Sequence, residues 1–170
     1  MSKFSKLDNI VTYRNMITKI VVDGNDGTGK TSTINGLKKL FPGITIEDRG
    51  IFSEATLIDE IFEEYENRDD EVIYRKPRTW LHERHSEINQ HIFAFLARVS
   101  ASKDTLFIIC KADPEVCQKR IKERGDSIEE QYHTMEDLKK YGERFDILVD
   151  IAKHHNVMVI DTTHRENPDI

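Results

Sequence analysis

Residues 17–31 read ITKIVVDGNDGTGKT, in which a β-branched apolar run breaks into a glycine-rich loop ending in Gly29-Lys30-Thr31. The run from Gly24 to Thr31 fits the spacing G-x-x-x-x-G-K-[ST], a strand-to-helix loop that wraps phosphate. Gly24, Gly27 and Gly29 reach backbone angles closed to other residues. The loop's main-chain N–H groups, those of Asn25, Asp26 and Thr28 included, can then converge on phosphate oxygens. Lys30 brings a mobile positive charge to the β- and γ-phosphates of a nucleotide. Thr31 offers a hydroxyl to Mg²⁺, and Ser32 follows in the first turn of the helix. That helix aims the positive end of its dipole at the same phosphates. A glycine-rich turn with no ligand is the plainer alternative, and the strand before and helix after weigh against it.

Outward from the loop, 170 residues fit one domain large enough to bury a core without staples. No apolar run approaches the roughly 20 residues of a membrane span, so no membrane partner is expected. The opening MSKFSKLDNIVTYRNM lacks the apolar stretch of a signal peptide, which makes a cytoplasmic location the expectation. Residues 1–16 read as an N-terminal extension ahead of a domain covering 17–170. Cys110 falls in an apolar strand and Cys117 in a helical stretch, so both read as packed thiols rather than a disulfide. A net charge of −6 argues mildly against a protein whose main task is gripping duplex nucleic acid, without excluding a local basic site.

Four strands are expected, at Thr18–Asp23, Ile44–Glu47, Thr105–Cys110 and Val157–Ile160. Their short, nearly continuous apolar runs suit parallel strands covered on both faces. Between them the period becomes helical. Ile34, Leu37 and Phe41 line one stripe; Leu57, Ile58, Ile61, Phe62 and Tyr65 a second; Leu81, Ile88, Ile92, Phe95, Leu96 and Val99 a third. Asp113-Pro114-Glu115 reads as a helix start with Asp113 as cap, and Thr134 with Asp137 as a capping box opening another helix. The stretch 66–80 reads as a long connection with room for one short strand.

Two further constellations bear on chemistry. Asp48-Arg49-Gly50 follows the second strand, where the strand ends of a parallel sheet point to the ligand crevice. There Asp48 can hold Mg²⁺ through water or take a proton from an attacking hydroxyl, and Arg49 can hold a phosphate oxygen of the acceptor. Alternation sends Glu47 to the opposite face. Arg120 and Arg124 lie four apart on one helix face that Gly125 ends, placed to balance charge on a moving phosphoryl group. A surface ion pair and a solvated basic helix end are the plainer readings of these two clusters. His82, His85 and His91 stand at helical spacing without the Cys or Asp pattern of a metal site.

VVDGNDGTGKTS resembles the opening of thymidylate kinases, and ADPEVCQKRIKERGDSIEE resembles that family's run into its lid. The resemblance covers about residues 17–40 and 105–163. It implies a three-layer α/β fold of the P-loop NTP hydrolase type, with about five parallel strands flanked by helices and a lid near 120–134. It implies ATP and Mg²⁺ as cofactors, Asp26 against the acceptor sugar, and Thr162 and Thr163 in the turn that receives adenine, with Arg120 beside them. Asp48-Arg49 resembles the acidic-Arg pair ending a core strand in thymidylate and deoxynucleoside kinases. LHERHSEI weakly resembles the helix that supplies an Arg to the acceptor phosphate, which nominates Arg84. Arg75, Lys76 and Arg78 are further phosphate candidates, and Phe52, Trp80 and Phe93 are candidates to stack a base. The chain is short for that family, and the acceptor-base region is where it departs most.

The expectation is an ATP-dependent kinase of a deoxynucleoside monophosphate, the acceptor being a small pyrimidine deoxynucleotide, in a chain that can form a homodimer as thymidylate kinases commonly do. Lys30, Asp48, Arg49, Arg120 and Arg124 carry the chemistry, and Thr31 with Asp48 carries the metal. A deoxynucleoside kinase, a kinase of a hydroxyl on a modified base or nucleic-acid end, and a non-catalytic nucleotide sensor remain alternatives.

Overall fold

The computed structural model describes residues 17–59, 62, 87–125 and 134–165. Strands β1 (Lys19–Gly24), β2 (Thr45–Asp48), β3 (Thr105–Lys111) and β4 (Val157–Asp161) form one parallel sheet in the order β2-β1-β3-β4. The helices are α1 (Lys30–Leu40), α2 (Ile51–Thr56), α3 (Glu87–Ala101), α4 (Pro114–Arg124) and α5 (Met135–Ile151). All four strands anticipated from the apolar runs are present. The sheet has four strands among the described residues rather than about five; residues 66–80, read as a long connection with room for one short strand, lie outside them.

Alternation along the strands divides the core in two. Val21, Phe107 and Ile109 pack with Phe52 and Ala55 of α2, Phe95 and Val99 of α3, and Phe145 and Leu148 of α5. Ile20, Val22, Ile108, Cys110 and Ile160 face the other way and pack with Ile34 and Leu37 of α1. Ile20, Val22, Leu37 and Ile108 are fully buried, each contributing about 1.5–3 kcal/mol by leaving water. The sheet is thus covered on both faces, which is why its strands read as unbroken apolar runs.

The register brings the C-terminal ends together: Val22 opposite Asp48, Gly24 opposite Cys110, and Lys111 opposite Asp161. From β1 the chain passes out to β2 and then returns to β3 on the other flank, so strand order reverses at β1. Ligands of open parallel sheets gather in the crevice outside the strand ends at such a reversal.

Thr134 caps α5, its hydroxyl accepting the Asp137 amide at 3.2 Å, and α4 has Pro114 in its first turn and ends in Gly125 at φ 70°. Asp113 stands at the cap position of α4 but its side chain makes no capping bond. Its own N–H donates instead to the Thr163 hydroxyl at 3.0 Å, tying the start of α4 to the end of β4. The second apolar stripe holds in part: Phe62 is helical and buried in the core with Ile58 packed against it, whereas Leu57 follows the helix that ends at Thr56 and is 70% exposed, and Ile61 and Tyr65 lie outside the described residues. Among the described residues, no helix is long and apolar enough to cross a membrane.

Candidate functional site

The glycine-rich loop is pressed against neighbours that leave no room for a side chain at Gly24 or Gly27. A Cβ on Gly24 (φ +143°) would lie 2.5 Å from the Cys110 carbonyl oxygen, and one on Gly27 (φ +77°) 2.6 Å from that of Cys117. Any other residue there would have to displace backbone and hold a left-handed conformation as well. The loop is also cross-braced. The Lys30 ammonium donates to the carbonyls of Gly24 at 2.8 Å and Asn25 at 2.9 Å, and the Asn25 amide donates to the Leu138 carbonyl of α5 at 2.9 Å. Burial holds the Lys30 pKa below the usual lysine range, with the Asp26 carboxylate pulling the other way.

Gly29, at φ +81°, precedes the first residue of α1 and supplies no side chain to cap it. The first-turn amides of α1 are therefore a donor set with no side-chain cap, at the positive end of the helix dipole. They open on a cleft of about 500 Å³ whose floor is Asp26, Gly27, Gly29, Lys30, Thr31 and Ser32. One wall is the end of β2, with Asp48 and Arg49; the other is the end of α4, with Arg120, Glu123 and Arg124. Four cationic and three anionic side chains thus meet around a concave space, which suits a polyanion carrying a cation.

The walls are built differently. Asp48 and Arg49 are exposed, while Glu47 on the opposite face pairs with Lys19 at 2.8 Å, as alternation requires. Arg49 sits at φ +58°, the one described non-glycine residue with positive φ, and such conformations cost of order 1–3 kcal/mol. Across the cleft the Arg120 guanidinium donates to Gly27 O at 3.2 Å, Thr162 Oγ1 at 2.8 Å and Thr162 O at 2.6 Å. Arg124 reaches the Asp26 carboxylate at 2.9 Å.

The structure thus brings Lys30, Thr31, Asp48, Arg49, Arg120 and Arg124 to one cleft and sends other nominated residues elsewhere. Phe52 is fully buried, edge-on to Phe95 with ring centroids 5.0 Å apart and near Phe107 at 5.5 Å, so it is core rather than a stacking surface. Thr162 is also fully buried, its hydroxyl donating to Thr28 O at 2.8 Å while accepting from Arg120; it anchors the loop rather than lining the cleft. Thr163 accepts from the Asp113 amide. Phe93 is on α3, 48% exposed, and away from the cleft. Arg75, Lys76, Arg78, Trp80, His82, Arg84 and His85 lie outside the described residues.

Sequence reasoning passed over Asp23. Its side chain has no solvent exposure, and its Oδ1 accepts the Gly50 amide at 2.8 Å and the Ser53 hydroxyl at 2.6 Å. Burial raises its pKa, and those hydrogen bonds with the nearby Lys30 charge oppose the rise. The available signal was a carboxylate ending an apolar strand, in VVDG, where burial without a partner is costly.

No cluster of three or more His, Cys, Asp or Glu side chains suited to a metal occurs among the described residues. A Mg²⁺ ion needs none. It keeps most of its waters, takes one or two protein oxygens and draws the rest from substrate phosphates. The Thr31 hydroxyl and Asp48 carboxylate, both on this cleft, are an oxygen-only pair of that kind. No known family model matches this chain, and no curated protein matches it either.

Proposed function

We propose that this chain is an ATP-dependent phosphotransferase of the P-loop NTP hydrolase fold, resembling thymidylate kinases and converting a deoxynucleoside monophosphate and ATP to the diphosphate and ADP. One observation carries the reading: the uncapped N-terminus of α1, with Lys30 beside it, opens into a cleft walled by arginines on two sides. In this reading the amides of Gly29 to Ser32 and the Lys30 ammonium hold the donor's β- and γ-phosphates. Lys30 exchanges its two loop carbonyls for phosphate oxygens, which are stronger acceptors for an ammonium. Thr31 and, through water, Asp48 would hold Mg²⁺ here, and the ion would supply positive charge to the donor phosphates. Arg49 holds the acceptor phosphate, and Arg124, with the anchored Arg120 behind it, offsets charge as the phosphoryl group passes in line.

A monophosphate acceptor needs no strong general base, because its attacking oxygen is already ionised. A hydroxyl acceptor does need one. The exposed Asp48 carboxylate on the cleft favours a second reading in which it accepts a proton from a nucleoside hydroxyl or from a hydroxyl of a nucleic acid. A coupled ADP-release assay across deoxynucleoside monophosphates, nucleosides and oligonucleotides separates the readings. Monophosphate-dependent turnover is expected. Turnover only with nucleosides or only with oligonucleotides would move the assignment to the second reading. Saturable ATP binding without any turnover would make the chain a nucleotide sensor.

A further inference from the structure

The turn that carries Asp48 and Arg49 is held in place from below. At the end of β1 the parallel ladder continues for one more rung, with the Arg49 amide donating to the Val22 carbonyl at 2.9 Å. The next amide, that of Gly50, finds not a strand carbonyl but the Asp23 carboxylate, at 2.8 Å. The chain must therefore bend between these two rungs, and Arg49 takes up the bend at φ +58°. Gly50 permits the approach, because a Cβ there would lie 2.7 Å from Val21 Cγ1 and 3.4 Å from Asp23 Oδ2. The same Asp23 Oδ1 accepts the Ser53 hydroxyl at 2.6 Å, which fixes the first turn of α2. Asp23 Oδ2 has no hydrogen-bond partner in spite of its burial.

We propose that Asp23 is a positioning residue that acts through Oδ1 on the Gly50 amide to hold Arg49 in its left-handed conformation, so that the Asp48-Arg49 pair faces the cleft preset, Arg49 for the acceptor phosphate and Asp48 for the metal. The inference rests on the phosphotransferase reading for its kinetic consequence but not for its structural one. Asp23 touches no ligand in this account. Its effect falls on acceptor and metal alignment and so on turnover, whereas donor binding without the metal depends on Lys30 and the α1 amides.

The two substitutions Asp23→Ala and Asp23→Asn divide the possibilities. Asparagine keeps an Oδ1 acceptor for Gly50 and Ser53 and places its NH2 where Oδ2 has no partner; alanine keeps neither. In Asp23→Ala, exchange of the Gly50 amide should accelerate at least about tenfold, with faster exchange in the first turn of α2. Turnover should fall by about 30-fold or more while the dissociation constant of a non-hydrolysable ATP analogue, measured without magnesium, changes less than about threefold. Asp23→Asn should restore slow exchange at Gly50 and most of the turnover. Ser53→Ala, which removes one of the two donors to Oδ1, gives a smaller effect in the same direction and serves if Asp23→Ala does not fold. Unchanged Gly50 exchange in Asp23→Ala, or Asp23→Asn behaving like Asp23→Ala in both exchange and turnover, would overturn the proposal. A wild-type protein without phosphoryl transfer would defeat the phosphotransferase reading instead, and the exchange measurement would still decide the role of Asp23.

Discussion

The two walls of the cleft hold their arginines in opposite ways. On the β2 side, Arg49 is exposed and owes its position to a strained backbone pinned from beneath by Asp23. On the α4 side, Arg120 is committed to the carbonyls of Gly27 and Thr162, and Arg124 to the Asp26 carboxylate. One wall presents a guanidinium; the other spends Arg120 on the loop and leaves Arg124 half-exposed on the cleft while it pairs with Asp26. The same residue type thus does different work according to whether its donors are already satisfied by the protein.

The largest expected effect lies on the floor that both walls share. Lys30→Ala should lower turnover by at least about 10²–10³-fold, the usual cost of removing a preset charge from a developing phosphoryl transfer. It should also weaken binding of an ATP analogue, measured by calorimetry, whereas Arg49→Ala should leave that binding intact. Equal losses of donor binding in both variants would erase the distinction between floor and wall.

The next pair tests the walls directly. Arg120→Ala strips the donor from the Gly27 and Thr162 carbonyls, at a cost of about 2–3 kcal/mol in urea denaturation. Arg49→Ala should change stability by no more than about 0.5 kcal/mol, as for other exposed positions, and yet reduce turnover about 100-fold. If Arg49→Ala unfolded the protein as readily as Arg120→Ala, the contrast would fail.

Much of this arrangement was legible in the chain, for identifiable reasons. Thr105–Cys110 and its three companions were readable as strands because a sheet covered on both faces leaves unbroken apolar runs. Lys30 and Thr31 were readable because the glycines around them answer a backbone demand that few sequences meet. Arg120 and Arg124 shared a face because helical spacing alone puts them there. Three things escaped. The six-residue α2 carries too little periodicity to show itself, and its start at Ile51 is set by the distant Asp23. Phe52 looked like a stacking ring because aromatic residues suit both base and core, and only the contacts with Phe95 and Phe107 decide between them. Thr162 looked like a ligand contact, whereas its hydroxyl is spent on Thr28 and Arg120, a bond between segments 134 positions apart that no local pattern announces.

A smaller effect belongs to the bridge from Arg124 to Asp26, whose arginine is about half exposed. Arg124→Ala should cost less than about 1 kcal/mol, and the difference from wild type should shrink as salt is raised. Its turnover should fall more than its stability, which denaturation and initial-rate measurements on the same preparation would show.

The smallest expected effect concerns Cys117, against whose backbone Gly27 packs. Burial raises its thiol pKa from 9.0 to about 11. The folded state therefore keeps a proton that the unfolded chain gives up. This contribution to stability is complete below the ordinary thiol pKa and is lost as pH rises through about 11. Over that alkaline range, Cys117→Ala should lose stability less steeply than wild type, as followed by denaturation midpoints at successive pH values. Parallel curves would show that the thiol is not shielded and that the α4 wall is looser than described.

In the proposed function, the loop before α1 and the two walls around it receive the phosphates of ATP. The most direct measurement is a titration of the ¹⁵N-labelled protein with magnesium and a non-hydrolysable ATP analogue, following backbone amide shifts. Saturable shifts are expected centred on Gly27, Gly29, Lys30, Thr31 and Ser32, with Asp48 and Arg49 responding when magnesium is present and all of them lost in Lys30→Ala. Saturable shifts centred away from these amides, or no binding to the folded wild-type protein, would contradict it.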